Sequence, residues 1–359
     1  MRELSSLNPE GPVHFLRLAA AILAIGAMIG PAGAQQLVPL TIAVVPSVPS
    51  ASTYVALDKG YFRAAGLDVK IERIDSLSKA VAFVATNQVQ VAQGGINAGV
   101  FNSIAGGLPV TLVLEAGSTP LYHRLLLRPD LKDKIKTPAD LKGRSIGISA
   151  PGSTSVYEIA MVLEGAGLTI QDVDLKYITF PQMPAALANG AVEVALMVAP
   201  FSELAIEKKI GVAWIDPEHG HIKALPMTNV GYIANVDWIN QNRELAKRAI
   251  VALARAGRDY CQAYHHGPNR SEVIDVLVSN KVVNDRALLD RMAWQARDPN
   301  GKFNIPSLLA IQSFFKRENI ITREAPGERL ADTSFTEAAA KELGAFDLIN
   351  KASKLAGCR

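Results

Sequence analysis

Residues whose types invite chemistry are scattered in this chain, and their spacing assembles no reaction centre. Ser76 and Lys79 fit the S-x-x-K spacing of a serine nucleophile with a lysine neighbour, but no K-T-G segment accompanies them. Ser76 is read instead as the N-cap of a helix. His219-Gly220-His221 and His265-His266 are imidazole pairs without partner ligands at a metal-site spacing, so each is assigned to a loop or a helix surface. Glu115 sits near a strand end, and no second acid is placed beside it for acid–base work. The phosphate loop G-x-x-x-x-G-K-[ST], the G-x-G-x-x-G fingerprint, the G-x-S-x-G elbow and the H-E-x-x-H helix are all missing. The chain is therefore read as a non-enzyme, with no catalytic residue, metal or cofactor expected.

What the chain offers instead is neutral hydrogen bonding at the ends of strands. Ser47 follows one strand, Asn97 a second and Ser118-Thr119 a third; Ser153-Thr154 opens a helix after a fourth, and Pro200-Phe201 follows a fifth. In open parallel α/β sheets, ligands bind outside the carboxyl ends of strands, where helix N-termini present unpaired amides. Glycines beside these residues let backbone approach a ligand, while Ser, Thr and Asn hydrogen-bond without charge. Tyr54, Tyr122 and Phe201 are candidate apolar or stacking walls, and one of His123 and Arg124 is expected to face a charged ligand. Together these positions outline a cleft.

The elements that must hold this cleft are legible as alternating patterns. Strands are expected at 40–46, 67–74, 89–93 and 110–114, with helices at 51–65, 78–86 and 97–105 between them. After Lys132 a similar order resumes: strands at 145–149, 175–180, 192–198 and 212–215, and helices at 154–165, 184–189 and 201–209. Thr137-Pro138 reads as an N-cap followed by a proline in the first turn. The phrase FVATNQVQVAQGGIN, from Phe83 to Asn97, returns as ALANGAVEVALMVAP, from Ala186 to Pro200, each copy punctuated by Asn or Gly. Each phrase is a helix, a turn and a strand running into the next helix, and two lobes are each built from this unit. The segment 227–234 looks like a strand returning to the first lobe. Beyond it only helices are expected, at 243–264, 271–279, 285–295 and 306–318, and this tail must pack on one of the lobes.

Composition agrees with an exported globular protein. The chain has 359 residues, 49% apolar, and a formal charge of +3, with no basic cluster interleaved with aromatics; a nucleic-acid partner is excluded. Arg2 and Arg17 precede the apolar run Leu18 to Ile29, and Ala32-Gly33-Ala34 supplies an A-x-A site, a signal peptide expected to be cut before Gln35. The run is shorter than the ~20 residues a spanning helix needs. Cys261 and Cys358 are the only cysteines. In an oxidising compartment they either pair, tying the C-terminal tail to a helix, or remain one buried and one exposed thiol.

Three stretches and the repeated phrases carry a family resemblance. YVALDKGYFRAAGLDVKI (Tyr54 to Ile71), TPADLKGRSIGISAPGST (Thr137 to Thr154) and LEGAGLTIQDVDLKYI (Leu163 to Ile178) resemble the periplasmic substrate-binding proteins of ABC importers in the nitrate, sulfonate and taurine group, which includes relatives of the thiamine-pyrimidine synthesis proteins. The match runs from Leu40 to Ala234. It implies an α/β, two-lobed periplasmic binding protein fold of type II: two parallel-type sheets flanked by helices, a ligand cleft between lobes, and a helical C-terminal tail. It places the signal peptide at 1–34, the first lobe at 35–121 and 228–359, and the second at 122–227. Binding loops carry over to Ser47, Asn97, Ser118, Ser153 and Thr154, with the segment around Pro200 opposite. The implied partners are a small organic ligand, weakly a sulfonate, carboxylate or aromatic acid, and a membrane permease, for a periplasmic monomer. The alternatives are an exported protein feeding a sensor and a pyrimidine-synthase-like enzyme, for which the cysteine-rich segment is missing. Gln90 and Glu193 stand where the family usually has aspartate, which leaves the local hydrogen bonding at those points open.

Overall fold

The computed structural model describes residues 36–215 and 227–359; the signal-peptide reading of residues 1–34 and the His219-Gly220-His221 pair fall outside them. Ten strands are described: β1 (Val38–Val44), β2 (Leu67–Arg73), β3 (Val91–Gly95), β4 (Val110–Ser118), β5 (Arg124–Leu127), β6 (Ser145–Ile148), β7 (Asp174–Tyr177), β8 (Val194–Met197), β9 (Val212–Ile215) and β10 (Thr228–Asn235). They form two five-stranded sheets, ordered β2-β1-β3-β10-β4 and β7-β6-β8-β5-β9. The two orders are equivalent. Each sheet has three parallel neighbours and one strand, β10 or β5, that runs against them.

The repeated phrase proves to be this shared unit. The helix Leu77–Ala85, β3 and the helix Ala98–Ala105 form one copy; Met183–Ala188, β8 and Phe201–Glu207 form the other. The punctuating residues occupy the same position and the same left-handed conformation, φ 57° for Asn87 and 78° for Gly190, which only Gly and, less easily, Asn adopt without strain. Gln90 and Glu193 also do one job twice. The Thr41 amide donates to Gln90 Oε1 at 2.9 Å and the Ser145 amide donates to Glu193 Oε2 at 3.1 Å, so each side chain anchors the parallel strand beside its own, β1 against β3 and β6 against β8. In the second sheet Arg144 donates to Glu193 Oε1 at 2.8 Å, and although burial opposes it, these bonds hold the carboxyl below its ordinary range.

Several boundaries differ from expectation for identifiable reasons. The helix expected at 51–65 breaks at Gly60, φ 69°, into Ala51–Asp58 and Tyr61–Ala64. Strand β3 extends through Gly94, where a Cβ would stand 2.8 Å from Val45 Cγ2, so the strand continues because the residue is small enough to pack there. Strand β5 went unforeseen: four residues, RLLL, carry no alternation because three of the four are buried. The helix expected at 285–295 ends at Arg291, and the chain then runs extended along β4 through the Ser118–Ala296 bridge.

The helical tail packs on both sheets, not on one. Its helix Ile305–Arg317 sets Phe315 edge-on to Phe101, with ring centroids 6.0 Å apart, and Phe314 edge-on to Tyr157 at 5.3 Å. Phe101 belongs to the first unit and Tyr157 to the helix Thr154–Glu164 after β6, so one buried apolar cluster runs through both. The long helix Arg243–Tyr264 covers the other face of the first sheet, burying Ile250, Leu253, Tyr260 and Cys261. Cys261 is bonded to Cys358, closing a 97-residue separation. His265, expected on a surface, is fully buried at the end of this helix, with Nδ1 2.7 Å from Ser353 Oγ and Nε2 3.0 Å from the Gly357 carbonyl, both in the bonded tail. Burial pulls its pKa down.

A crosslink that closes so long a loop removes conformational freedom mainly from the unfolded chain. Cys358→Ser is expected to cost about 2–4 kcal/mol of stability, read as a lower urea midpoint under non-reducing conditions. An unchanged midpoint would show that the crosslink contributes nothing.

Candidate functional site

Two sheet edges meet at one point in the chain. The Ala98 amide, in the first turn after β3, donates to the Gly152 carbonyl, after β6, at 2.8 Å, and Asn97 pairs with Ser153 in an isolated antiparallel bridge. These residues follow the carboxyl ends of parallel strands in both sheets, β3 and β6, so the edges that bind ligands in such sheets face each other. Gly152 makes the approach possible. Its φ is +68°, and a Cβ there would stand 2.6 Å from Ala98 Cβ.

The residues singled out by sequence take distinct places around this contact. Ser47 opens the loop after β1; its amide donates to Ser50 Oγ at 3.2 Å while Ser50 Oγ donates back to the Ser47 carbonyl at 2.7 Å. Asn97 caps the helix Ala98–Ala105, its Oδ1 accepting from Gly99 and Val100 amides and from Ser78 Oγ, while Nδ2 donates to the Gly95 carbonyl. That amide is committed to holding the turn. Ser118 ends β4 and its amide donates to the Ala296 carbonyl. Thr119 links the two crossings between sheets: its amide donates to the Met227 carbonyl at 3.0 Å and its hydroxyl accepts from the Met227 amide at 2.8 Å. Ser153 donates from Oγ to the Ala150 carbonyl, and Thr154, buried, begins the helix Thr154–Glu164. Pro200 and Phe201, half-buried, open the helix Phe201–Glu207 after β8.

Tyr54 stands elsewhere: it is 3% exposed in the core between the first sheet and the long tail helix. Tyr122, at φ 55°, reaches back to the tail, its hydroxyl 3.1 Å from that of Tyr264. His123 and Arg124 lie at the start of β5, the strand that runs against β8 and so begins at the ligand-side edge. His123 Nδ1 is 2.8 Å from Glu158 Oε2 and both are buried; Arg124 lies 3.7 Å from Glu203.

Of the polar groups beneath the first-sheet edge, the sequence singled out Glu115 and gave no sign of Gln93 or Arg297. Gln93 is fully buried with neither amide atom paired. Glu115 is buried, its Oε2 accepting from the Asp298 amide at 2.7 Å and its Oε1 unpaired. Burial pushes its pKa up to about 8, against the smaller opposing effects of that amide and of Arg297; Asp298 adds to the rise. Arg297, 3% exposed, donates to Ser52 Oγ and, at 2.9 Å, to the Pro49 carbonyl, with its guanidinium 3.8 Å from the Tyr260 ring centre. No pattern in the chain announced Arg297, because its partners are some 245 residues away. Among the described residues no group of His, Cys, Asp and Glu could hold a metal.

Sheet order, paired edges and bridging tail define a two-lobed α/β binding-protein fold of type II. The chain belongs to the NMT1/THI5-like family, whose model matches residues 48–264. It is 27% identical over 247 residues, 68% of this chain and 74% of the other, to a Haemophilus influenzae protein whose name ties it to thiamine biosynthesis. Its fold is similar to that of the periplasmic aliphatic sulphonate binding protein SsuA from Escherichia coli, with TM-score 0.66, 16% identity, and 82% of this chain and 92% of that one covered. It is also similar in fold to the desulfurization enzyme DSZB, with TM-score 0.53, 16% identity, and 86% and 100% covered.

Two outcomes follow from this geometry. Gly152→Ala forces a side chain against Ala98 in a left-handed conformation that costs about 1 kcal/mol or more; a lower thermal midpoint and a larger scattering radius are expected, and unchanged values of both would deny the contact its role. For Glu115 the folded pKa lies above the ordinary 4.5. Its protonation therefore stabilises the fold fully below about pH 4.5 and that stability is lost as pH rises through about 8. Glu115→Gln, which keeps an acceptor for the Asp298 amide, is expected to flatten the fall in melting temperature across this window; an equally steep fall in the variant would rule Glu115 out as its source.

Proposed function

We propose that this protein is an extracytoplasmic solute-binding protein of an ABC transporter, which encloses a small organic molecule between its lobes and delivers it to a membrane permease. The reading is carried by the meeting of two ligand-side sheet edges at Ala98 and Gly152. The proposed lobes are 35–121 with 228–359, and 122–227, and the proposed location is the periplasm, as a monomer, after cleavage behind Ala34. Ser47, Asn97, Ser118 and Thr119 on one side and Ser153, Thr154, Pro200 and Phe201 on the other are the proposed lining. The start of the helix Thr154–Glu164, which no side chain caps, presents the positive end of its dipole and suits an acceptor-rich or anionic group, a sulfonate or carboxylate.

The likeness to DSZB favours a second reading, an enzyme on this fold. An iron-dependent pyrimidine synthase is opposed by the cysteines: Cys261 and Cys358 are bonded to each other and so unavailable as ligands. Turnover of a bound compound by the purified protein would establish the enzyme reading.

The deciding experiment is a thermal-shift screen of the protein from Gln35 onward against sulfonates, aliphatic and aromatic carboxylates, nitrate, pyrimidines and ureas. A ligand at about 100 times its Kd adds about 2.7 kcal/mol, a rise of several degrees. A hit confined to one class supports capture and names the class; no shift anywhere, with no co-purified ligand by native mass spectrometry, turns the reading toward a sensor or partner-binding role. Replacing Ser153 and Thr154 together by alanine is expected to weaken binding by roughly tenfold, the ~1.4 kcal/mol of one or two hydrogen bonds. Unchanged affinity in the double variant would remove both from the lining.

A further inference from the structure

We propose that Arg297, a residue of the C-terminal tail, is a positioning residue of the cleft: its guanidinium holds the turn Val48–Ser50, after Ser47, against the start of the helix Ala51–Asp58 in a ligand-ready shape. The inference rests on the reading of the cleft as the ligand site. Three observations carry it. First, Arg297 is 3% exposed and ties the Pro49 carbonyl of the turn to the Ser52 hydroxyl in the first turn of the helix. A planar fork reaches two acceptors in fixed geometry where an ammonium cannot. Second, the charge is buried without an ion pair among the described residues, its Nε is unpaired, and its guanidinium lies over the Tyr260 face at 3.8 Å. A desolvated charge is costly, so its retained contacts identify what the position is for.

Third, the segment carrying Arg297 touches both crossings between the sheets. Gln295 donates to Asn229 on the returning strand β10; the Ala296 amide donates to the Pro120 carbonyl at 2.9 Å and its carbonyl accepts from the Ser118 amide, at the outgoing crossing. The Asp298 amide donates to Glu115 at 2.7 Å, and the Arg297 carbonyl accepts from the amide of Cys358, the crosslinked residue. Both crossings and the first loop are therefore referenced to four consecutive residues. A shift of the crossings is transmitted to the loop through the Arg297 side chain.

The test compares wild type, Arg297→Lys and Ser52→Ala. Lys keeps the charge and loses the fork; Ser52→Ala removes one contact and leaves the arginine in place. Amide hydrogen exchange of the ligand-free proteins is read for residues 47–53 against the strands of the first sheet, and binding is measured by calorimetry with MOPS, benzoate, nitrate and cytosine as probes. The expected result is exchange at 47–53 at least tenfold faster in Arg297→Lys, less so in Ser52→Ala, with the sheet unchanged, and affinity for the responding probe reduced at least tenfold in the same order. Exchange at 47–53 equal to wild type in both variants overturns the proposal, as does faster exchange with undiminished affinity. If Arg297→Lys exchanges fast throughout, Ser52→Ala decides alone. Wild type that binds none of the probes refutes the ligand-site reading for those classes, while the exchange comparison still decides whether Arg297 holds the loop.

Discussion

Everything about the cleft depends on one backbone hydrogen bond, from the Ala98 amide to the Gly152 carbonyl, made where two sheets turn their carboxyl edges toward each other. Helix N-termini leave amides without intrahelical partners. Here one such amide is satisfied by the opposite lobe, so the contact belongs to neither lobe alone. It requires Gly152 at positive φ, and it requires a small residue on the facing turn, which Ala98 provides. A bulky pair would hold the edges apart and leave the amide to water.

The tail makes this arrangement durable. Phe314 and Phe315 press on helices from both sheets, and the extended run from Met292 continues the first sheet beyond β4. The Cys261–Cys358 bond ties the chain end to the longest helix, close to the outgoing crossing, where a Cβ at Gly357 would meet Pro120. The tail thus contacts both crossings and, through Arg297, the Pro49 carbonyl and the Ser52 hydroxyl. The same region concentrates buried polarity: Glu115, Gln93 and Arg297 each keep an unpaired atom. Buried polar atoms of this kind are costly, since apolar side chains would pack that layer more cheaply.

The duplication shows how a modest signal becomes a structure. The two phrases share few residues, yet the position of Asn87 and Gly190 and the anchoring roles of Gln90 and Glu193 coincide in space. The departures from aspartate at Gln90 and Glu193 leave the anchor intact, because an amide or a longer carboxylate presents the same acceptor oxygen to the neighbouring strand.

The sequence by itself determined the α/β class, the two repeated units, the strand ends that carry Ser47, Asn97, Ser118 and Ser153, and the family. These follow from periodicity, glycine positions and caps, which are local and need only a few neighbouring residues. Tertiary structure alone decided the rest. It placed Tyr54 in a core, buried His265, committed Asn97 to its own turn, joined Cys261 to Cys358, and laid the tail across both lobes. It also brought Arg297 beneath a loop some 245 residues earlier in the chain. Which face a side chain turns, and what stands opposite, is set by packing between distant segments, and no local pattern of residues records that.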